Sequence, residues 1–317
     1  MSDMYTNLVL SMSAPPYWHC GKTITRRSLD QIIALTPAML MAMYNWGIPA
    51  FRVMALSVAT CVVVEFVSQR LMEIRVRIND LTAIVTGILF AFLLPAGSPW
   101  WLVVVGAACA MLFGKMLFGG LGNCPLSTPL VGWAILFISF PAHMDANLVQ
   151  LSTGWVDPLA RLRYFGPEAA ARISYVKLLL GQQVAPLGAG QVGALLIGGL
   201  YLLARGVIRW QIVIGILLGC MVPFAILQLS APATSATALF HLLTGSIVLC
   251  AFFIATEPSI APAFPVGQLL YGISCGLLIF AIRTYGSYAD GAPFAVLAIS
   301  LLTPYFDMIR PKPFGVR

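Results

Sequence analysis

The sequence predicts an all-α integral membrane protein with about ten transmembrane helices in two inverted five-helix repeats. Three observations carry this. The 317 residues are 60% hydrophobic and only 9% charged, with mean hydropathy +0.91. Soluble domains run about 25% charged, and a chain this apolar cannot hide its side chains in one core. The apolar segments recur at span length, ended by Gly, Pro and basic residues. A series of features centred on a Thr-Gly pair in the first half returns in the second.

Residues 1–30 are polar and carry Lys22, Arg26 and Arg27. They lack the short apolar region and small-residue cleavage site of a signal peptide, so they are expected as a cytoplasmic N-terminal segment. Spans are expected at 31–48, 51–68, 81–95, 99–117 and 128–141, a first membrane repeat over 31–141. The longest polar interval, 142–188, is expected as an extracytoplasmic loop. Spans at 189–208, 211–229, 236–255, 268–283 and 289–306 form the second repeat, 189–306, and 307–317 is a cytoplasmic C-terminus. Several of these fall short of the roughly 20 residues of a full crossing. Short segments broken by Gly and Pro are typical of discontinuous helices lining a central site.

The formal charge of +7 raises the question of nucleic acid, but the basic residues sit at the ends of apolar segments, where they set topology. The expected environment is membrane lipid, with no nucleic acid. With the N-terminus inside, the cytoplasmic side receives Lys22, Arg26, Arg27, Arg70, Arg75, Arg77, Lys115, Arg205, Arg209, Arg310, Lys312 and Arg317. The short outer loops receive only Arg52 and Arg283. The four basic residues of the long loop weigh less, because long loops translocate largely regardless of charge. Both termini are therefore expected inside.

The repeat is ordered. "LTAIVTGILFAFLLPAGSPWW" (81–101) aligns with "LFHLLTGSIVLCAFFIATEPSIA" (239–261) through Thr86-Gly87 and Thr244-Gly245. Each is followed by a Pro-containing exit, an apolar span, a basic residue and a Gly-rich turn: "KMLFGGLGNCP" (115–125) and "RTYGSYADGAP" (283–293). Five spans separate equivalents, an odd number, so the halves should face opposite ways.

Charged groups within spans cost several kcal/mol and need a reason. Lys115, Asp80 and Asp307 suit helix ends, by snorkelling or capping. Glu65, in "CVVVEFV", is too short to snorkel far and is a candidate for an ion or proton path, together with Asp80 and His241. His241 could equally make an interhelical hydrogen bond. A membrane haem needs paired histidines on facing helices, whereas His19 and His143 lie outside the spans. None of the seven cysteines lies within four residues of another, which excludes a CxxC-type metal or cluster site within this chain. No metal site or catalytic constellation emerges. The turns "FGGLGN" (118–123) and "YGSYADG" (285–291) are expected at opposite membrane faces, where unwound backbone N–H groups can hold a planar heterocycle or an anion. Gly119, Gly120, Asn123, Gly286, Asp290 and Gly291 are the candidate cofactor contacts.

The stretches "SAPPYWH" (13–19), "LTAIVTGILFAFLLPAGSPWW", "GKMLFGGLGNCP", "LFHLLTGSIVLCAFFIATEPS" and "GISCGLLIFAIRTYGSYADGAPFAVLAISLLTPYFD" resemble the RnfD component of the Rnf complex. More distantly they resemble the NqrB component of the sodium-pumping NADH:quinone reductase. The short N-terminus and the "PYWH" opening favour the Rnf branch. The resemblance implies a subunit of a bacterial inner-membrane translocase that couples electron transfer between ferredoxin and NAD to movement of Na⁺ or H⁺, not a stand-alone enzyme. Its implied partners are the other Rnf subunits: the membrane components RnfA and RnfE, the flavoprotein RnfG and the peripheral RnfB and RnfC. An inverted-repeat solute or ion channel, or a structural subunit without a redox role, remains open.

The resemblance also implies a flavin: FMN joined by a phosphoester to a threonine of an S/T-G-A-T pattern in the long loop, and riboflavin in the membrane part of the related NqrB. In "LSTGWVDPLARL" (151–162), Thr153-Gly154 match the start of that pattern and Pro158-Leu159 the residues after it. Asp157 takes the acceptor threonine's place, and a carboxylate cannot accept the phosphoester in the usual way. Three arrangements are open: no covalent FMN, which Asp157 favours; Thr153 as acceptor; or flavin held without a bond. In "NCPLSTP" (123–129) the family's N-P-x-N-P keeps Asn123 and Pro125, while Ser127 replaces its second Asn.

Overall fold

The computed structural model describes residues 23–73, 76, 78–120, 122–145, 155, 157–168, 173–230 and 236–309. These are helical, with no strand among them. The first helix, α1 (Ile24–Trp46), is capped by the Thr23 hydroxyl, which accepts from the Arg26 N–H at 3.2 Å. It ends at Gly47, whose φ of +63° lets the chain reverse within one residue into α2 (Ile48–Leu71). Pro49 falls in the first turn of α2, where its missing N–H costs nothing. α2 has 24 residues, about 36 Å of helix, enough to cross a hydrocarbon core.

Then come α3 (Thr82–Phe92), α4 (Trp100–Met111) with a π-turn at Leu112–Met116, and α5 (Thr128–Ser139). After the 142–157 interval stands the short α6 (Pro158–Phe165). Next are α7 (Val192–Ala204) and α8 (Trp210–Ser230). The following apolar stretch is broken into α9 (Ala238–Leu243) and α10 (Ile247–Leu249), which runs into a π-turn at Cys250–Ile254. α11 (Pro265–Tyr285), α12 (Ala292–Ser300) and α13 (Thr303–Asp307) close the chain.

Among the described residues, α2, α8 and α11 are long and apolar enough to cross a membrane. Of four shorter apolar helices, Thr82–Phe92 and Trp100–Met116 pack on α2, Thr128–Ser139 on α3 and α4, and Val192–Ala204 on α1. Side chains such as Ile138, Ile197, Leu200 and Ile226 stand exposed on helix faces, as contact with lipid requires.

The closest helix pair is α8 with α11, and glycine allows it. A Cβ on Gly276 would lie 2.5 Å from the Ile216 carbonyl oxygen, and one on Gly219 would lie 2.5 Å from that of Ile273. Gly215 and Gly272 meet in the same way, so each helix offers a Gly-xxx-Gly face to the other. α2 packs on α3 and α4, and α1 on α7. Residues 183–191, expected to straddle a loop and the start of a span, form largely buried irregular backbone, with the helix beginning only at Val192. The Leu187 and Gly188 N–H groups donate to the carbonyls of Leu94 and Phe92 at 2.8 and 3.0 Å. Irregular backbone at this depth is tolerable only where protein satisfies its polar groups.

Candidate functional site

Two polar centres lie within the apolar fold, one in each half of the chain. In the first, the α2 sequence sets Ser57, Cys61, Glu65 and Gln69 four residues apart, so all fall on one buried face. Glu65, 1% exposed, accepts from the Lys115 ammonium at 2.5 Å and from the Gln69 amide at 3.0 Å. Lys115 sits in the π-turn that ends α4 and is also buried. Its Nζ donates to the Thr82 hydroxyl at 2.8 Å, and Thr82 donates in turn to Asp80 at 2.9 Å. Glu65 and Asp80 are thus joined through Lys115 and Thr82. The Glu65 Oε2 has no hydrogen-bond partner among the described residues. A π-turn is a frequent way to re-aim a functional side chain, and here it turns Lys115 inward.

Lys115 and Thr82 also line a cavity of about 300 Å³. Arg27, Gln31, Thr86 and Glu257 share its wall. Glu257 accepts from Ser127, the residue standing in the position of the family pattern's second Asn, at 2.8 Å. Gly122 reaches this wall from the first Gly-rich turn, in which Gly119, Gly120 and Gly122 take φ of +88°, +99° and +98°. Gly119, Gly120 and Asn123 belong to that turn but lie off the cavity wall.

In the second centre Arg283, near the end of α11, has a buried side chain. It donates to the carbonyls of His241 and Thr244 at 2.7 and 2.8 Å and to Asp290 at 3.0 Å. Asp290 also accepts from the Ser246 N–H and hydroxyl at 2.8 and 2.5 Å. Gly245, with φ of +71°, is pressed beneath this pair, and a Cβ there would lie 2.5 Å from Arg283 Nη2. His241 stacks on Phe224 with ring centroids 3.7 Å apart, away from both cavity walls.

Asp290 lines a second cavity, of about 590 Å³. Trp133, Phe137, Tyr288, Phe294, Gln183 and Asp157 share its wall. Gly286 and Gly291 flank it without lining it; both are pressed against Ile282, where a Cβ would collide. Thr153 and Gly154 lie outside the described residues. Asp157 is the N-cap of α6: its Oδ1 accepts from the Leu159 and Ala160 N–H groups at 2.9 and 3.2 Å. Arg163 of the same helix donates to the Gly286 carbonyl at 2.7 Å, tying α6 to the second Gly-rich turn.

Sequence reasoning missed three of these roles. Lys115 was expected at a helix end, but an acid at membrane depth needs a cation, and Lys115 supplies it from 50 residues away, past the basic residues nearer in sequence. Asp157 followed by Pro158 carried an N-cap signature that the cofactor question hid. Gln183 gave no signal, because its contacts depend on buried irregular backbone.

The chain matches the model of the NQR2, RnfD, RnfE family over residues 11–315. It is 35% identical over 315 residues to the D component of the Na(+)-translocating ferredoxin:NAD(+) oxidoreductase complex of Acetobacterium woodii, covering 98% of this chain and 96% of that protein. It is 33% identical over 350 residues to the D component of the ion-translocating oxidoreductase complex of Pectobacterium carotovorum, covering 98% and 100%. The corresponding protein of Alcanivorax borkumensis is 34% identical over 302 residues, 88% of each chain. By this match over nearly its whole length, the chain belongs to the NQR2, RnfD, RnfE family.

Proposed function

We propose that this chain is the RnfD-type membrane component of an Rnf complex and couples electron transfer between ferredoxin and NAD to movement of Na⁺ or H⁺. The observation that carries the coupling role is the buried Glu65–Lys115 pair, which reaches a cavity wall through Lys115. A cation entering that cavity meets Glu65 only by competing with the ammonium, and this competition gives a charge-controlled gate. Asp80, joined through Thr82, lies at the far end of the same network. The partners are the membrane components RnfA and RnfE, the flavoprotein RnfG and the peripheral RnfB and RnfC, in the bacterial inner membrane with both termini in the cytoplasm.

The ten-span inverted-repeat plan belongs to the same reading. What supports it is the parallel between the halves: Lys115 reaches back to Thr82 and Arg283 to His241 and Thr244, each bonding the segment that carries its own Thr-Gly. The cofactor is a flavin without the phosphoester of the family, because Asp157 caps α6 where the acceptor hydroxyl is expected. Ultraviolet-excited fluorescence of the denatured band tests this directly, and a bright band overturns it.

The coupling role is tested in complexes reconstituted into liposomes. Glu65→Gln should leave electron transfer running and lower ion movement per electron by about tenfold, the scale of one 1.4 kcal/mol interaction. An unchanged ratio removes Glu65 from the path.

A further inference from the structure

We propose that the second cavity is a binding site for a small organic monocation, an ammonium or amidinium group carried on a flat or apolar body. The inference goes beyond the coupling role. It rests on the reading above in one respect, that no flavin is bonded to the chain at this wall. Aromatic rings, net charge and one unpaired acceptor argue for it.

The rings come first. Trp133 and Phe137 of α5, Tyr288 of the second Gly-rich turn and Phe294 of α12 all line the cavity. The Phe294 centroid lies 4.7 Å from that of Trp133 and 5.1 Å from those of Phe137 and Tyr288. Ring faces carry negative potential and attract a cation within about 6 Å of the centroid. A volume of about 590 Å³ suits a small molecule. A bare metal ion would need a close shell of oxygen ligands, which aromatic walls do not give.

The charge has the matching sign. Three carboxylates stand on the wall, those of Asp145, Asp157 and Asp290. Two guanidinium groups oppose them: Arg163 on the wall, and Arg283, which bonds Asp290 at 3.0 Å. The excess is one negative charge, which a monocation neutralises and an anion would double. Asp157 and Asp290 already accept hydrogen bonds within the chain, so they act on a ligand through their field. Asp145, Arg163 and Ser287 are exposed at the rim, so the cavity opens at a polar surface where a charged solute can enter.

Gln183 supplies the acceptor. It is 2% exposed and lines the cavity, and its amide nitrogen donates to the Gly190 carbonyl at 3.1 Å. The Oε1 has no partner among the described residues. A buried acceptor left unpaired is costly, and a bond to a charged donor is among the stronger ones. A ligand with cationic N–H groups gains what the empty cavity forfeits.

The test uses the full-length chain purified in a non-ionic detergent, with benzamidinium as the probe. Benzamide, its neutral counterpart of the same shape, and benzoate, an anion, are the controls. Calorimetric titration should show benzamidinium binding saturably and at least about tenfold more tightly than benzamide, with no binding of benzoate. Gln183→Leu should weaken benzamidinium by about tenfold. Asp157→Asn keeps the helix cap and removes one charge, so it should weaken benzamidinium severalfold and leave benzamide unchanged. The benzamidinium-to-benzamide ratio of the unaltered chain needs no variant to fold. Benzamide binding as tightly as benzamidinium, saturable binding of neither, affinity indifferent to Gln183→Leu, or displacement of benzamidinium by riboflavin or FMN each overturns the proposal. So does binding to the chain alone that disappears in the assembled complex, since a neighbouring subunit would then fill the cavity in place of a free solute. A flavin-fluorescent denatured band would instead refute the reading on which the proposal rests, and the two failures are read on separate samples.

Discussion

Lys115 and Glu65 bury opposite charges at 5% and 1% side-chain exposure, with Gln69 and Thr82 as further hydrogen-bond partners. Neither residue is there for stability alone, because a well-packed apolar pair of similar volume often does as well as a buried ion pair. Removing one partner is different, since it strands the other charge. Lys115→Met should therefore destabilise the chain by about 3 kcal/mol, and the double variant Glu65→Leu/Lys115→Met should recover most of that loss. Thermal melts in detergent check the order; a double variant that melts no higher than the single would show that the pair is not coupled in this way. Gly245 offers a second case. Its φ of +71° disfavours any side chain, and a Cβ would press on Arg283 Nη2 and on Leu159. Gly245→Ala should cost more than the roughly 1 kcal/mol of the backbone alone, and Arg283→Lys, which removes the Nη2 atom the Cβ would meet, should relieve part of it. The same melts read both, and equal losses with and without Arg283→Lys would remove the steric part.

At the scale of elements, α6 shows how one residue can be read in two ways. "DPLARL" is an aspartate cap followed by proline in the first turn, and the helix at Pro158–Phe165 begins accordingly. Asp157→Ala should cost about 1 kcal/mol of local stability, while Asp157→Asn keeps the cap and costs little. Hydrogen exchange of the Leu159 and Ala160 amides is the direct measurement, and equal protection in the two variants would mean that the carboxylate does not hold the helix. The long helices α2, α8 and α11 were legible within a few residues, because composition and flanking charges mark a full crossing. The 236–255 stretch was legible as apolar but not as α9, α10 and a π-turn, since hydropathy is blind to where backbone bonding changes register. Residues 183–191 were not legible for a related reason: the Leu187 and Gly188 N–H groups are satisfied by Leu94 and Phe92, far away in sequence, and no local pattern announces such bonds. Among the candidate site residues, Glu65 and Asp80 could be picked out as costly charges, but the lysine joining them is displayed only by packing. The glycines at 286 and 291 were visible as a turn, while their pressure against Ile282 was not.

For the molecule as a whole, the two polar centres are built on one plan with different parts. A basic residue at the end of the fourth expected span of each half turns back to the segment bearing Thr-Gly: Lys115 to Thr82, Arg283 to His241 and Thr244. Its acidic partner differs, coming from α2 in the first half and from the following turn in the second. Each basic residue lies close to a cavity, the first with a mixed wall of Arg27, Lys115 and Glu257, the second with a wall rich in aromatic rings. If the halves are inverted repeats, the two cavities open toward opposite faces of the membrane, and positions equivalent in the repeat report opposite sides. Leu117 and Tyr285 are such a pair, each two residues beyond its basic residue, and they are 69% and 81% exposed. Leu117→Cys and Tyr285→Cys, made singly and mapped by peptide mass after treatment with a membrane-impermeant maleimide, separate the alternatives. In intact cells stripped of their outer membrane, position 285 should react and position 117 should not; in inside-out vesicles the order should reverse. Basic residues gather on the side that holds position 117, so orientation follows from charge and inversion from the repeat, and the two can fail separately. Reaction of both positions from one side would refute the inverted repeat, whereas exchange of the two patterns would keep the repeat and place both termini outside.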